Sequence, residues 1–199
     1  MTIVNVSDDI KEKLIQSNFT SRFLNNCFNS KFLSIKVEDQ KIVGVGFVGG
    51  LLNSYGIEII EQFRGKGIGK KLLSDVINEC KNRNFSFITG VFKPINTISI
   101  KIHMNSGFIP LFTFFYNETE GQEIPVLLPL NKKGTFLMKL FQIFDTKIGN
   151  IFFGILLSLL RPLLKDLIAF SSDEMPKINL LSSIKNFENV RETLQKNKL

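Results

Sequence analysis

Three glycines alternate with other residues in Arg64-Gly65-Lys66-Gly67-Ile68-Gly69, a pattern suited to holding phosphate. Glycine lets the backbone turn sharply, and no Cβ stands between its N–H groups and a ligand. A helix starting here adds the positive end of its dipole. Arg64, Lys66, Lys70 and Lys71 add full charges, so pyrophosphate is the natural ligand. Better-known phosphate loops do not fit. A Walker A loop needs glycine five residues before its Gly-Lys pair, where Arg64 stands, and Lys71 occupies the place of the magnesium-binding Ser or Thr. The dinucleotide fingerprint needs G-x-G-x-x-G early in a βαβ unit, whereas the spacing here is G-x-G-x-G after several antiparallel-looking strands.

A second ordered set of residues follows: Asn96, Ser99, His103, Gly107 and Phe108. His103 is the only histidine of the chain, and imidazole titrates near neutrality. The two sets together resemble the GCN5-related N-acetyltransferase (GNAT) family. That family's pyrophosphate turn has the form Arg/Gln-x-x-Gly-x-Gly/Ala, matched by Arg64, Gly67 and Gly69. Its second element, Asn-x-x-Ala/Ser-x-x-x-Tyr/His-x-x-x-Gly-Phe, is matched by Asn96, Ser99, His103, Gly107 and Phe108.

The resemblance implies acetyl-CoA as co-substrate, with no metal, and transfer of an acetyl or other short acyl group to a primary amine by direct attack on the thioester. It implies that Arg64, Gly65, Lys66, Gly67, Ile68, Gly69 and Lys70 hold the cofactor, together with Asn96 and Ser99. It also implies that N–H groups of Ile59 and Ile60 meet the thioester carbonyl and the pantetheine arm. His103 stands where the family often carries the tyrosine that protonates the leaving thiolate, and could donate that proton or relay one from the amine. Packing or capping the helix is its other reading. Glu58 stands where some members place a carboxylate base, although strand alternation equally allows a solvent-facing side chain. The alternative to an enzyme is a non-catalytic acyl-CoA sensor or adaptor whose C-terminal helices bind a partner or a membrane surface.

These residues need elements to position them. Ser7-Asp8-Asp9 reads as a helix start, with one or two short helices over residues 8–28. Residues 32–37 and 41–48 read as a hairpin, and Tyr55–Ile60 as the strand that enters the glycine turn. Residues 69–83 place Ile68, Leu72, Leu73, Val76 and Ile77 on one face of a helix that must cover a sheet. Phe85–Phe92 reads as a strand reached by a parallel crossover, and Asn96–Ser106 as a helix ending at Gly107. Leu111–Tyr116 and Ile124–Leu130 form a closing hairpin around an acidic loop containing Glu118, Glu120 and Glu123, which a cationic acceptor or plain solvation would explain. The expected fold class is α/β: a mixed, mostly antiparallel central sheet flanked by helices, over residues 1–133, with an apolar, basic helical extension over 134–199.

The 44% hydrophobic and 22% charged residues of the 199-residue chain describe a folding domain, not a disordered one. Cys27 and Cys80 have neither disulfide-framework nor zinc spacing, and the first residues lack the pattern of a secretory signal, so a cytoplasmic setting is expected. Residues 1–130 carry 14 basic and 12 acidic side chains, and residues 131–199 carry 11 and 6. Without basic residues gathered on a recognition motif, nucleic acid is not an expected partner. Residues 148–160 are 13 uncharged positions, short of a membrane span. Asn150, Gly154, Ser158, Arg161 and Lys165 give that helix one narrow polar stripe. The rest of its circumference calls for burial, first against its own domain, otherwise in a homodimer or peripherally at a membrane through residues 148–170.

Overall fold

The computed structural model describes residues 1–116, 121–167, 176–183 and 192, with backbone only over 161–167. The chain divides into two compact units, Met1–Ile88 and Thr89–Leu199.

In the first unit, β1 (Thr2–Val4), β2 (Ser30–Glu38), β3 (Lys41–Gly49) and β4 (Ser54–Ile59) lie side by side in that order, every neighbouring pair antiparallel. The β2–β3 hairpin closes on Asp39 and Gln40, both at positive φ as a two-residue turn matching strand twist requires. Strand alternation then sorts β3 between two layers. Gly44 and Gly46 face α3 (Ile68–Asn82): a Cβ at Gly44 would stand 3.1 Å from Ile68, and one at Gly46 3.1 Å from Val76. Absent side chains here let the helix lie close on the sheet. Val45 and Phe47 point the other way, into a cluster with Leu14 of α1 (Asp8–Ile15) and Cys27 of α2 (Ser21–Phe28). α1 starts as its sequence dictates, with Ser7 accepting the Ile10 N–H and Asp8 and Asp9 paired to Lys11 and Lys13.

β5 (Phe87–Phe92) carries the chain into the second unit, which continues with α4 (Thr97–Asn105), β6 (Ile109–Pro110), β7 (Thr113–Tyr116) and β8 (Gly121–Pro129). β8 pairs antiparallel with both β6 and β7. α5 (Lys132–Gln142) packs on β8, and α6 (Lys147–Leu167) follows after a one-turn 3-10 segment, at 99° to the helix before it. The extension expected from residue 134 thus lies within the unit that starts at Thr89. β9 (Lys177–Asn179) returns antiparallel to β7, fixed by Thr113 Oγ1 donating to the Asn179 carbonyl at 3.1 Å and by Asp145 accepting the Leu181 N–H at 2.8 Å. Phe112, Phe144 and Phe153 knit this unit, the last two rings stacked 3.9 Å apart. The result is an α/β fold with a largely antiparallel sheet flanked by helices. Glu118 and Glu120, singled out from the sequence, lie outside the described residues.

Candidate active site

In the first unit, β4 delivers the chain into one 3-10 turn (Glu61–Phe63) and then into the glycine turn. Gly65 and Gly67 have φ of +78° and +76°, a backbone that L side chains rarely adopt, and no atom lies within 4 Å of where their Cβ atoms would stand. The turn is therefore both glycine-requiring and open on its outer side. Gly67 caps α3 without a side chain, and the first intrahelical bond runs from the Lys71 N–H to the Gly67 carbonyl at 3.2 Å. The N–H groups of Ile68, Gly69 and Lys70 therefore precede the helical ladder and are the donors a phosphate would take. Arg64 is locked across the turn, its Nε donating to the Ile59 carbonyl at 3.1 Å. Lys66 holds its ammonium over the Phe63 ring at 4.9 Å, and Lys70 is exposed. These features fit a coenzyme A pyrophosphate: a cradle that a Cβ would strain, unpaired donors and exposed cations.

Ile59 and Ile60 do not act as an equivalent pair. The Ile60 N–H donates to the Val43 carbonyl at 3.0 Å, contrary to the expectation that it is free for a thioester. Pairing alternates along an antiparallel strand, so the N–H of Ile59, opposite Gly44, points to the other edge of β4. The two N–H groups thus differ: that of Ile60 is taken by β3, and that of Ile59 faces away from β3. Glu58, half-buried in β4, makes a contact that neither reading of the sequence includes. Its two oxygens accept from the Thr20 N–H at 3.1 Å and the Thr20 hydroxyl at 3.0 Å. Thr20 is the N-cap residue of α2 and makes no side-chain cap bond of its own, so Glu58 supplies the negative charge at that helix start. Thr20 lies 38 residues away in sequence and carries no local signal of this contact.

In the second unit, the spacing of Asn96, Ser99, His103, Gly107 and Phe108 resolves into one device for holding an imidazole. Asn96 caps α4, its side chain accepting the Ser99 N–H at 3.0 Å. One turn on, His103 Nδ1 meets the Ser99 carbonyl and lies 3.2 Å from the Ser99 hydroxyl. Gly107 turns the chain at φ +86°, and the Phe108 N–H returns to the His103 carbonyl at 3.1 Å. The His103 ring lies between Phe92 and Phe108, at 5.4 and 5.2 Å between centroids, with 8% of the residue exposed. Asn96 and Ser99, expected from the sequence to touch the cofactor, here direct these polar atoms at the helix and the histidine.

A carbonyl can only accept, so Nδ1 carries the proton facing Ser99, and Nε2 of the neutral ring is an acceptor. Burial pushes the imidazole below its ordinary 6.5, and the Ser99 carbonyl pulls more weakly the other way. His103 is therefore held neutral at physiological pH, suited to taking a proton before giving one. Both thiols are buried. Burial, with Glu58 as a second cause, pushes Cys27 up to about 12, and burial followed by Glu79 does the same for Cys80, so neither is a nucleophile. Among the described residues no group of three or more His, Cys, Asp or Glu side chains could hold a metal ion.

In the first unit, a strand that enters an open glycine turn at an uncapped helix start has the form of a phosphate cradle, and the second unit holds a buried neutral histidine, both within an α/β fold. The sequence model of the acetyltransferase (GNAT) family matches residues 7–108, just over half of the chain, and the protein belongs to that family. Among solved structures it is similar in fold to the ribosomal-protein-S18-alanine N-acetyltransferase of Escherichia coli (15% identity, TM-score 0.53, covering 65% of this chain and 94% of that one). It is also similar to an N-acetyltransferase of Staphylococcus aureus Mu50 (17%, 0.53, 65% and 98%). A third is a GNAT family acetyltransferase of Elizabethkingia anophelis with acetyl-CoA bound (16%, 0.50, 64% and 97%). No curated protein matches the sequence.

Proposed function

We propose that this protein transfers an acetyl or other short acyl group from acetyl-CoA to a primary amine. The observation that carries the reading is the turn at residues 64–69, with two positive-φ glycines open to solvent, in a chain of the acetyltransferase (GNAT) family. Acetyl-CoA in the Elizabethkingia structure supports the choice of co-substrate. Backbone N–H groups of Ile68, Gly69 and Lys70, with Arg64 and Lys66, bind the pyrophosphate. The Ile59 N–H stabilises the oxygen that gains charge when the amine nitrogen attacks the thioester carbon.

The co-substrate supplies an activated acyl carbon, and the chain's own groups manage the proton. Forming the amide N–C bond releases one proton from nitrogen, and breaking the C–S bond leaves a thiolate that needs one. His103, neutral with Nε2 as acceptor, relays that proton from nitrogen to sulfur. We assign the relay to His103 and not to Glu58, since each Glu58 oxygen already accepts a hydrogen bond from Thr20.

Acetyl-CoA is expected to raise the melting temperature and, with an amine panel, to release free thiol. Gly67→Val is the control: φ at +76° costs a branched residue about 1–2 kcal/mol, and its side chain occupies the cradle, so stabilisation by acetyl-CoA should vanish. Stabilisation without thiol release on any amine would replace this reading by that of a non-catalytic acyl-CoA sensor. Absence of stabilisation would remove both.

A further inference from the structure

The two helices after β8 expose what amphipathic helices of a soluble domain bury. On α6, Ile148, Ile151, Phe152, Ile155 and Leu159 recur at helical spacing along one stripe, with Ile148 83% and Leu159 74% exposed. Leu157 and Phe153 lie on a different face, packed inward, and Asn150, Gly154 and Ser158 run between the two. The apolar circumference is thus half used by the protein and half presented outward. On α5 the same holds for Phe136, 71% exposed, and for Leu140 at i+4, continued by the exposed Ile143 just past the end of the helix. In the corner between the helices lies a hollow of about 380 Å³ walled by Leu140, Ile143, Phe144, Ile148 and Phe152. Its one polar wall group, the Thr146 hydroxyl, donates to the Ile143 carbonyl at 2.7 Å and accepts the Gly149 N–H at 3.1 Å, so the hollow favours hydrocarbon over water.

Charge says what covers this surface. Lys132, Lys133 and Lys139 project within a turn of Phe136 and Leu140, all exposed, and Lys147 opens α6 beside Ile148. None of the four has an acidic partner among the described residues. The one acid between residues 131 and 160, Asp145, is turned to the Leu181 N–H. A second copy of the chain is a poor occupant. An isologous contact would set each lysine cluster near that of its partner. A bilayer with anionic headgroups meets both requirements, since acyl chains take the apolar stripe and lysines extend to the phosphates. No single helix among the described residues is long and apolar enough to cross a membrane; Lys132–Asp145 and Lys147–Leu160 reach that length only together and across a 99° bend, and the four exposed lysines beside their apolar side chains favour the interface over a span.

We propose that α5 and α6 dock this protein on an anionic membrane surface, with Phe136, Ile151, Phe152 and Leu159 inserted and Lys132, Lys133, Lys139 and Lys147 at the headgroups. The test is flotation of the full chain with phosphatidylcholine vesicles and with vesicles containing phosphatidylglycerol. Partition into the anionic vesicles should be at least about tenfold higher, and should fall severalfold when ionic strength rises to about 0.5 M. A variant with all four lysines changed to glutamine alters only exposed side chains and should lose the anionic preference. A Phe136→Ser, Ile151→Ser, Leu159→Ser variant should remain unbound to either vesicle while keeping its circular dichroism spectrum and melting temperature. Failure of the wild-type chain to float with anionic vesicles overturns the proposal, as does unchanged binding of the lysine variant. A dimer in sedimentation equilibrium that the serine variant disperses would assign the face to a second copy instead.

Discussion

The chemistry of single residues turns on what holds them. His103 has a folded-state pKa below its ordinary 6.5, so on acidification the unfolded chain takes up this proton first. Its contribution to stability is therefore complete above about pH 6.5 and is lost as pH falls through the folded value. His103→Gln should flatten that part of the stability–pH curve, measured by urea midpoints between pH 7.5 and pH 5. The same variant should lose turnover on the order of 10²–10⁴-fold if the imidazole relays the proton, with little change in acetyl-CoA affinity. Glu58 is expected to behave in the opposite way. Glu58→Gln keeps an acceptor for Thr20 and should alter turnover by less than about tenfold, far below the loss of a general base. Glu58→Ala should cost about 1 kcal/mol of stability through the start of α2. A loss of turnover near 10³-fold in Glu58→Gln, with stability intact, would restore the carboxylate as the base.

Elements were legible in the sequence where the period and its punctuation agreed. The β2–β3 hairpin, β4, α3 and α4 declare themselves by alternation, helical spacing, capping residues or a glycine turn. β1 and β9 do not. Each has three residues and exists because a distant strand, β2 or β7, offers an edge to pair with. The cap on α2 was equally hidden, since Thr20 meets Glu58 through the fold and not through the sequence. For α6 the periodicity gave the faces but could not say which of them the protein would leave uncovered. Inside β3 and β4, packing is close enough to predict a cost. A Cβ at Gly56 would stand 2.5 and 2.7 Å from the Phe47 ring, which itself packs edge-on against Phe23 at 5.3 Å. Gly56→Ala should therefore destabilise by about 1–3 kcal/mol, and Phe47→Leu added to it should recover part of that loss. Denaturation of the single and double variants, read as a coupling energy, decides it: simple additivity would mean the two positions do not meet.

At the scale of the whole molecule, the first unit depends on a strand used on both sides. β3 gives Gly44 and Gly46 to α3 on one face and Val45 and Phe47 to the α1–α2 layer on the other, so removing either layer exposes the other's support. Each layer carries one buried thiol, Cys27 in α2 and Cys80 in α3, both pushed up to about 12. At pH 8 the thiolate fraction of such groups is on the order of 10⁻⁴, and the native chain should be silent to a thiol reagent. That silence also leaves a thiol-release assay free of background from the protein. If the two layers open together, Cys27→Ala and Cys80→Ala variants should show the same dependence of labelling rate on urea, because in each the remaining thiol is reached by the same opening. A shallower dependence for the thiol in α2 would show instead that α1 and α2 detach alone. The sheet and α3, with the glycine turn at its start, would then be the stable body, and the layer tethered by Glu58 to Thr20 a separately opening cover.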